Sequence, residues 1–263
     1  MILLAAAGLA GILAAPAPTP RPLPFGPGES LVLRITYAGL LAGRARVTVD
    51  GAEHGGRPAL EFVATARSEG FFAWLFRFSV RDRTVAVWDP VDGCSRRIEK
   101  TLREGRAVRD QKVELDPAGI AHVEDPKIKE KRFEIEPCSL DILSALFVAR
   151  VRGIPENAPL ELPVFDNGKR FRLAVKLVAR ETLNLPPPFG KKTPVIVVEP
   201  HLVEGTGLFV KEKNARLKIW LTDDARRVPV RMQSKVAIGS VSADLESYTS
   251  GAEEGASGTG GTN

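Results

Sequence analysis

Between Gly28 and Ser250 the chain repeatedly places an apolar side chain at every second position, and that period constrains its fold most. Leu31, Leu33, Ile35 and Tyr37 fall on one side of an extended segment. Ala45, Val47 and Val49 alternate with Arg44, Arg46, Thr48 and Asp50, and Leu60, Phe62 and Ala64 form a third set. Phe171, Leu173, Val175 and Leu177 alternate with Arg170, Arg172, Ala174 and Lys176. Leu217, Ile219 and Leu221 then alternate with Lys218, Trp220 and Thr222, and Val228, Val230 and Met232 with Arg231 and Gln233. Successive side chains of a strand project to opposite faces, so each segment has one covered face and one wet face. That is the pattern of antiparallel sheet. Val195, Ile196, Val197 and Val198 are apolar without a break, which predicts a strand covered on both sides.

Turn chemistry separates the strands. Ala38–Gly43, Glu53–Pro58, Asp166–Lys169 and Asp223–Arg226 read as connections. The Asn167-Gly168 pair is the strongest hairpin signal among them. Asp223 and Asp224 read as turn carboxylates bonding the local backbone, because neighbours on a strand cannot act as an acid–base pair. Consecutive hairpins predict a meander, and roughly a dozen strands predict a barrel or half-barrel. The fold class expected is therefore mainly β.

One segment departs from period two. Pro137 to Gly153 predicts a helix over about 138–152. Ser139 is the candidate cap, Asp141 suits the N-terminal dipole, Arg150 and Arg152 suit the last turn, and Gly153 ends it. Leu140, Leu143, Leu146, Phe147 and Val151 leave little polar face, so the helix must be covered. The mouth or open side of a curled sheet is the simplest cover.

The ends differ from the body. Met1 to Leu13 is almost wholly apolar, but it is shorter than the roughly 20 residues of a spanning helix. Small residues follow at Ala14, Ala15 and Ala17, as a signal-peptidase site requires, although no Lys or Arg precedes the run. Residues 1–17 are expected to be a cleaved signal peptide, 18–27 a Pro-rich linker, 28–250 one β domain and 251–263 a disordered tail. The expected location is the periplasm, without a lipoprotein anchor, since no Cys lies near the apolar start. An even pair of cysteines in an exported chain predicts a Cys94–Cys138 disulfide.

Several of these residues also carry a family resemblance. They are Phe25-Gly-Pro-Gly-Glu-Ser-Leu, Tyr37-Ala-Gly-Leu-Leu-Ala-Gly-Arg-Ala, Asp141-Ile-Leu-Ser-Ala-Leu-Phe-Val-Ala-Arg, Ile219-Trp-Leu-Thr-Asp-Asp-Ala-Arg-Arg-Val-Pro-Val and Ile238-Gly-Ser-Val-Ser-Ala-Asp-Leu. Together they resemble domain-of-unknown-function family 3108, from bacterial envelopes. The resemblance implies a secreted, predominantly β protein with no assigned activity. The chain also looks distantly like half-barrel envelope carriers that hold an acyl chain between a curled sheet and a helical lid, a likeness of fold alone.

Charge and motifs narrow the function. The formal charge is +5, from 37 basic and 32 acidic residues. The basic residues are scattered along strands without interleaved aromatics, so no nucleic acid partner is expected, whereas attraction to an anionic envelope surface is compatible. His54, His122 and His201 have no second ligand at metal-site spacing, and no metal or cofactor is expected. His201, near Glu199 and Glu204, is the least ordinary of the three. There is no Gly-x-Ser-x-Gly elbow, and Ser144 reads as a small packing residue. Glu204-Gly-Thr-Gly-Leu-Phe-Val lacks the lysine and helix of a phosphate loop and reads as a bulge or tight turn.

Gly70-Phe-Phe-Ala-Trp-Leu-Phe-Arg-Phe78 holds five aromatic residues in nine, against 6% for the whole chain. It is expected either to plug the core or to form a contact surface through Phe71, Phe72 and Trp74. The leading expectation is non-enzymatic binding or carriage of an apolar, lipid-like ligand lined by Leu33, Phe62, Phe78, Leu143, Phe147, Val175 and Ile219. The alternative is a scaffold or assembly factor contacting an envelope protein partner. An envelope hydrolase is the least favoured reading.

Overall fold

The computed structural model describes residues 22–69, 79–205, 217–235 and 239–251. The expected leader at 1–17, the aromatic run at 70–78 and the tail beyond Gly251 lie outside the described residues. So do the residues after Gly205 in the glycine-rich stretch.

Among the described residues, fourteen antiparallel strands form one sheet. In chain order they are β1 Ser30–Tyr37, β2 Leu40–His54, β3 Arg57–Ser68, β4 Arg81–Asp89, β5 Cys94–Glu104, β6 Ala107–Asp116, β7 Ile120–Glu124 and β8 Arg132–Glu134. After helix α1 (Ile142–Arg152) come β9 Leu160–Asp166, β10 Lys169–Leu185, β11 Gly190–Gly205, β12 Leu217–Thr222, β13 Pro229–Lys235 and β14 Ser240–Thr249. The order in the sheet is β8-β7-β6-β5-β4-β3-β2-β1-β14-β13-β12-β11-β10-β9. It is a meander whose two halves join where β1 pairs with β14, as the run of hairpins predicts.

The sheet curls but is not closed by strand pairing. Its two edge strands are β8 and β9. Phe165 of β9 packs in a cluster with Ile98, Val113 and Ile135, and its ring lies 5.2 Å from that of Phe133 in β8. Lys100 of β5 pairs with Asp166 of β9. The free edge of β9 is occupied by the chain leading to α1, where Leu140 N donates to Pro163 O at 2.9 Å and Phe165 N donates to Leu140 O at 2.8 Å. An exposed edge invites pairing with another chain, and this segment satisfies it.

The uninterrupted apolar run behaves as its sequence predicts. Ile196 and Val198 of β11 enter the cluster that contains the helix, while Val195 and Val197 enter the cluster with Leu31, Leu33 and Leu245. The long β10–β11 hairpin bends through register shifts at Leu177/Ala179 and Leu183/Leu185. Its tip brings Phe189 to 5.2 Å from Tyr248 of β14.

Two local expectations need correction. The first turn is only Ala38-Gly39, and Gly43 lies inside β2, opposite Ile35 and Ser68. A Cβ on Gly43 would stand 2.1 Å from Arg67 O, so glycine serves close backbone approach there rather than a turn. Helix α1 begins at Ile142 rather than near residue 138, and its cap is Asp141 rather than Ser139. The preceding residues are committed elsewhere: Cys138 to a disulfide and a positive φ of 54°, Leu140 to the edge of β9. Ser139 Oγ donates to Glu136 O.

Candidate functional site

The face of the sheet that carries Phe62 is covered by α1, which packs on β9, β4 and β3. Asp141 positions the helix. Its Oδ1 accepts from Leu143 N at 2.8 Å and Ser144 N at 3.0 Å, satisfying two of the otherwise unpaired first-turn amides. Its Oδ2 accepts from Ser95 Oγ of β5 and Ser144 Oγ. Ser144 thus bonds the cap besides packing. The Cys94–Cys138 disulfide ties the start of β5 to the approach of the helix, across 44 residues of chain.

The expected lining residues divide in three. Phe62, Phe147 and Val175 are buried in one apolar cluster, with Leu143 and Ile219 partly buried against it. Leu33 belongs to the second cluster. Phe78, and the contact residues Phe71, Phe72 and Trp74, lie outside the described residues. Within the first cluster the rings of Phe62 and Phe147 stack at 3.9 Å with planes 4° apart. Phe25, from the segment before β1, stands edge-on to both at 5.7 Å and 4.9 Å. Trp88 stacks on Phe62 at 5.9 Å, and its Nε1 is a buried donor with no acceptor among the described residues.

A charged pair lies at the rim of this apolar cluster. Arg150 is 0% exposed and Glu29 1%. Arg150 Nη1 donates to Glu29 Oε1 at 2.6 Å and Nη2 to Oε2 at 3.0 Å, a two-pronged contact. Arg150 Nε donates to Arg226 O at 3.0 Å, and Nη2 also to Pro24 O at 3.3 Å. The guanidinium lies 4.9 Å from the Phe25 ring centre and 5.2 Å from that of Phe147. Tyr248 Oη donates to Glu29 Oε2 at 3.2 Å. Burial, then the neighbouring Glu29 carboxylate, pushes the Tyr248 phenol up to about 12. The pair locks the N-terminal segment, α1 and β14 together. The sequence marks Arg150 only as a helix-end cation beside Arg152; the signal for its burial is the little polar face of that helix.

Other carboxylates are structural. Burial would raise the Asp89 carboxyl, but bonds from Arg96 and Val91 N bring it below its ordinary value. Asp125 is similar: burial opposes ionisation, and Lys127 N, Arg109 and Gln111 outweigh it. Asp224 accepts from Thr222 Oγ1, Arg226 and the amides of Arg226 and Arg227, as a turn carboxylate should. His201 is half exposed, with Nε2 3.5 Å from Glu199 Oε2, and Glu199 also faces Lys218 at 3.6 Å. Among the described residues no group of three or more His, Cys, Asp or Glu could hold a metal ion.

The model of a protein family of unknown function, DUF3108, matches residues 32–246. The chain belongs to DUF3108. That span takes in every described strand and the helix, apart from the first residues of β1 and the last of β14. No curated protein matches this DUF3108 chain. A similar solved structure is a crystal structure of a beta-barrel-like protein of the domain of unknown function DUF1849, from Brucella abortus. The two share 12% identity with a TM-score of 0.51, covering 84% of this chain and 96% of that one. At that identity the likeness is one of fold, and it agrees with the curled sheet described above.

Proposed function

We propose that this DUF3108 protein is an exported, non-enzymatic component of the cell envelope that acts by contact with another envelope component. The apolar, small-residue-bounded start of the sequence supports export, and so does the cysteine pair, since disulfides persist in oxidising compartments. The observation that favours contact over carriage is the Phe62–Phe147 stack, with Phe25 against both rings. The protein's own rings occupy the place between sheet and helix where a carried chain would lie. A drug-sized ligand needs on the order of 300–1,000 Å³. An open cleft of about 620 Å³ among the described residues lies elsewhere and is lined by Thr65, Arg67, Ser79, Arg81, Asp82, Arg83, Thr101, Arg103 and Gly105.

Carriage of an apolar ligand is the second reading. It is favoured by the buried Trp88 Nε1, a donor inside an apolar cluster with no acceptor among the described residues. A ligand's oxygen there would satisfy it. Native mass spectrometry of protein purified from the periplasm, before and after solvent extraction, separates the two. Contact predicts the mass of the bare chain in both samples. A stoichiometric lipid lost on extraction would overturn contact and establish carriage.

A further inference from the structure

The face of the sheet opposite Phe62 carries a row of arginines in cross-strand register. Arg34 of β1 pairs with Arg44 of β2, Arg44 with Arg67 of β3, and Arg67 with Arg81 of β4. Arg103 of β5 falls opposite Arg81, between the Arg83–Thr101 pair and the Val80–Glu104 bridge. Five neighbouring strands thus each contribute one arginine to a single line. At about 4.8 Å per strand the line is about 19 Å long. A second line, Arg46–Thr65–Arg83–Thr101, runs beside it.

Like charges placed directly opposite one another on a sheet are unfavourable. Elsewhere the chain relieves exposed arginines with carboxylates: Arg172 with Glu136 and Glu161, Arg180 with Glu156 and Asp223, Arg231 with Asp244. Within the row, Arg44 is bound by Glu69 and Glu246, and Arg103 by Asp110. Asp82, at the cleft, accepts from Arg103 N rather than from a guanidinium. Arg46, Arg67, Arg81 and Arg83 are exposed and have no carboxylate partner among the described residues. The open cleft is therefore lined by four arginines, Arg67, Arg81, Arg83 and Arg103, against the one carboxylate of Asp82.

We propose that this arginine face docks on an anionic lipid surface, with Arg67, Arg81 and Arg83 taking phosphate headgroup oxygens. The inference rests on the contact reading above and names its chemistry. Arg67 and Arg81 face each other across β3 and β4, with Arg83 two residues along β4, and none of the three has a carboxylate partner among the described residues. Such a spread of guanidinium groups suits an array of phosphates better than one soluble anion, and arginine binds phosphate through paired N–H groups. The site itself consists only of the arginines on β3 and β4.

The test is flotation of the purified protein with vesicles of phosphatidylglycerol and phosphatidylcholine, against phosphatidylcholine alone. The variants are R67Q/R81Q/R83Q and a charge-matched control, K129Q/R132Q/R152Q, which removes exposed basic residues elsewhere. Each basic residue near an anionic surface contributes about fivefold, so the arginine variant should bind about 100-fold more weakly, with the control changed far less. Raised salt should release the parent protein. Vesicle indifference of the parent, or equal binding by both variants, overturns the proposal. Capture of soluble polyphosphate without vesicle binding also overturns it, in favour of a free polyanion. Near-identical thermal unfolding of the two variants shows that lost binding is not lost folding. Vesicle failure alongside a bare chain in native mass spectrometry would sink this inference while leaving the contact reading intact.

Discussion

Replacing Arg150 by Met tests what the buried pair contributes. The change keeps the side chain's length and apolar stem, but it leaves the 1%-exposed Glu29 carboxylate with Tyr248 Oη at 3.2 Å and no counter-ion. The carbonyls of Pro24 and Arg226 also lose their donor. Removing one partner of a buried ion pair costs about 3–5 kcal/mol, a large part of a total stability of about 5–15 kcal/mol. For a domain of this size that corresponds to a fall in Tm of about 6–20 °C. E29M should cost a similar amount, by stranding the guanidinium. The double variant E29M/R150M removes both charges, and apolar replacement of a whole pair is often close to neutral. It should lie within about 2 kcal/mol of the parent, the remainder being the Tyr248 hydroxyl's lost acceptor. Urea unfolding with the disulfide intact gives all four stabilities. The reasoning fails if R150M costs under about 1 kcal/mol, or if the double variant loses the sum of the single losses. A second readout is independent of stability: in E29M the Tyr248 phenol should titrate below about 12, while remaining raised by burial.

Reduction of the disulfide, or C94A/C138A, should lower stability by about 2–4 kcal/mol, because the bridge constrains 44 residues of unfolded chain; thermal unfolding with and without reductant measures it. Acid should destabilise the fold only below about pH 4. Asp89, Asp125 and Asp224 have folded-state values below their ordinary ones, so their contribution is complete above the unfolded value of about 3.9 and is lost as pH falls through the folded values. Urea midpoints measured from pH 7 to pH 2 should show a plateau and then a decline. D125N should start from a lower plateau and decline less steeply, and an unchanged acid limb would refute its role.

Much of the fold was legible because its information is local. Period-two alternation needs only side chains on opposite sides of one strand, and it located the strands that tertiary structure then joined. Asn167-Gly168 marked the β9–β10 hairpin because both residues adopt positive φ there, 50° and 72°. The unbroken Val195–Val198 run announced a strand covered twice, and Cys94 with Cys138 announced a bridge. The helix start was misplaced because the residues before it are held by partners distant in sequence. Leu140 bonds Pro163 and Phe165, and Cys138 bonds Cys94, so neither was free to extend the helix.

The sequence alone therefore determined the class: an antiparallel meander with one covered helix, from periodicity, turn residues and the little polar face of residues 140–151. Tertiary structure decided everything that depends on which strand lies beside which. It set Phe62 of β3 face to face with Phe147 of α1. It buried Arg150 against Glu29 across 121 residues. It also turned arginines that look scattered along the chain into one line across β1 to β5, because register between strands is fixed by pairing and cannot be read from any one of them.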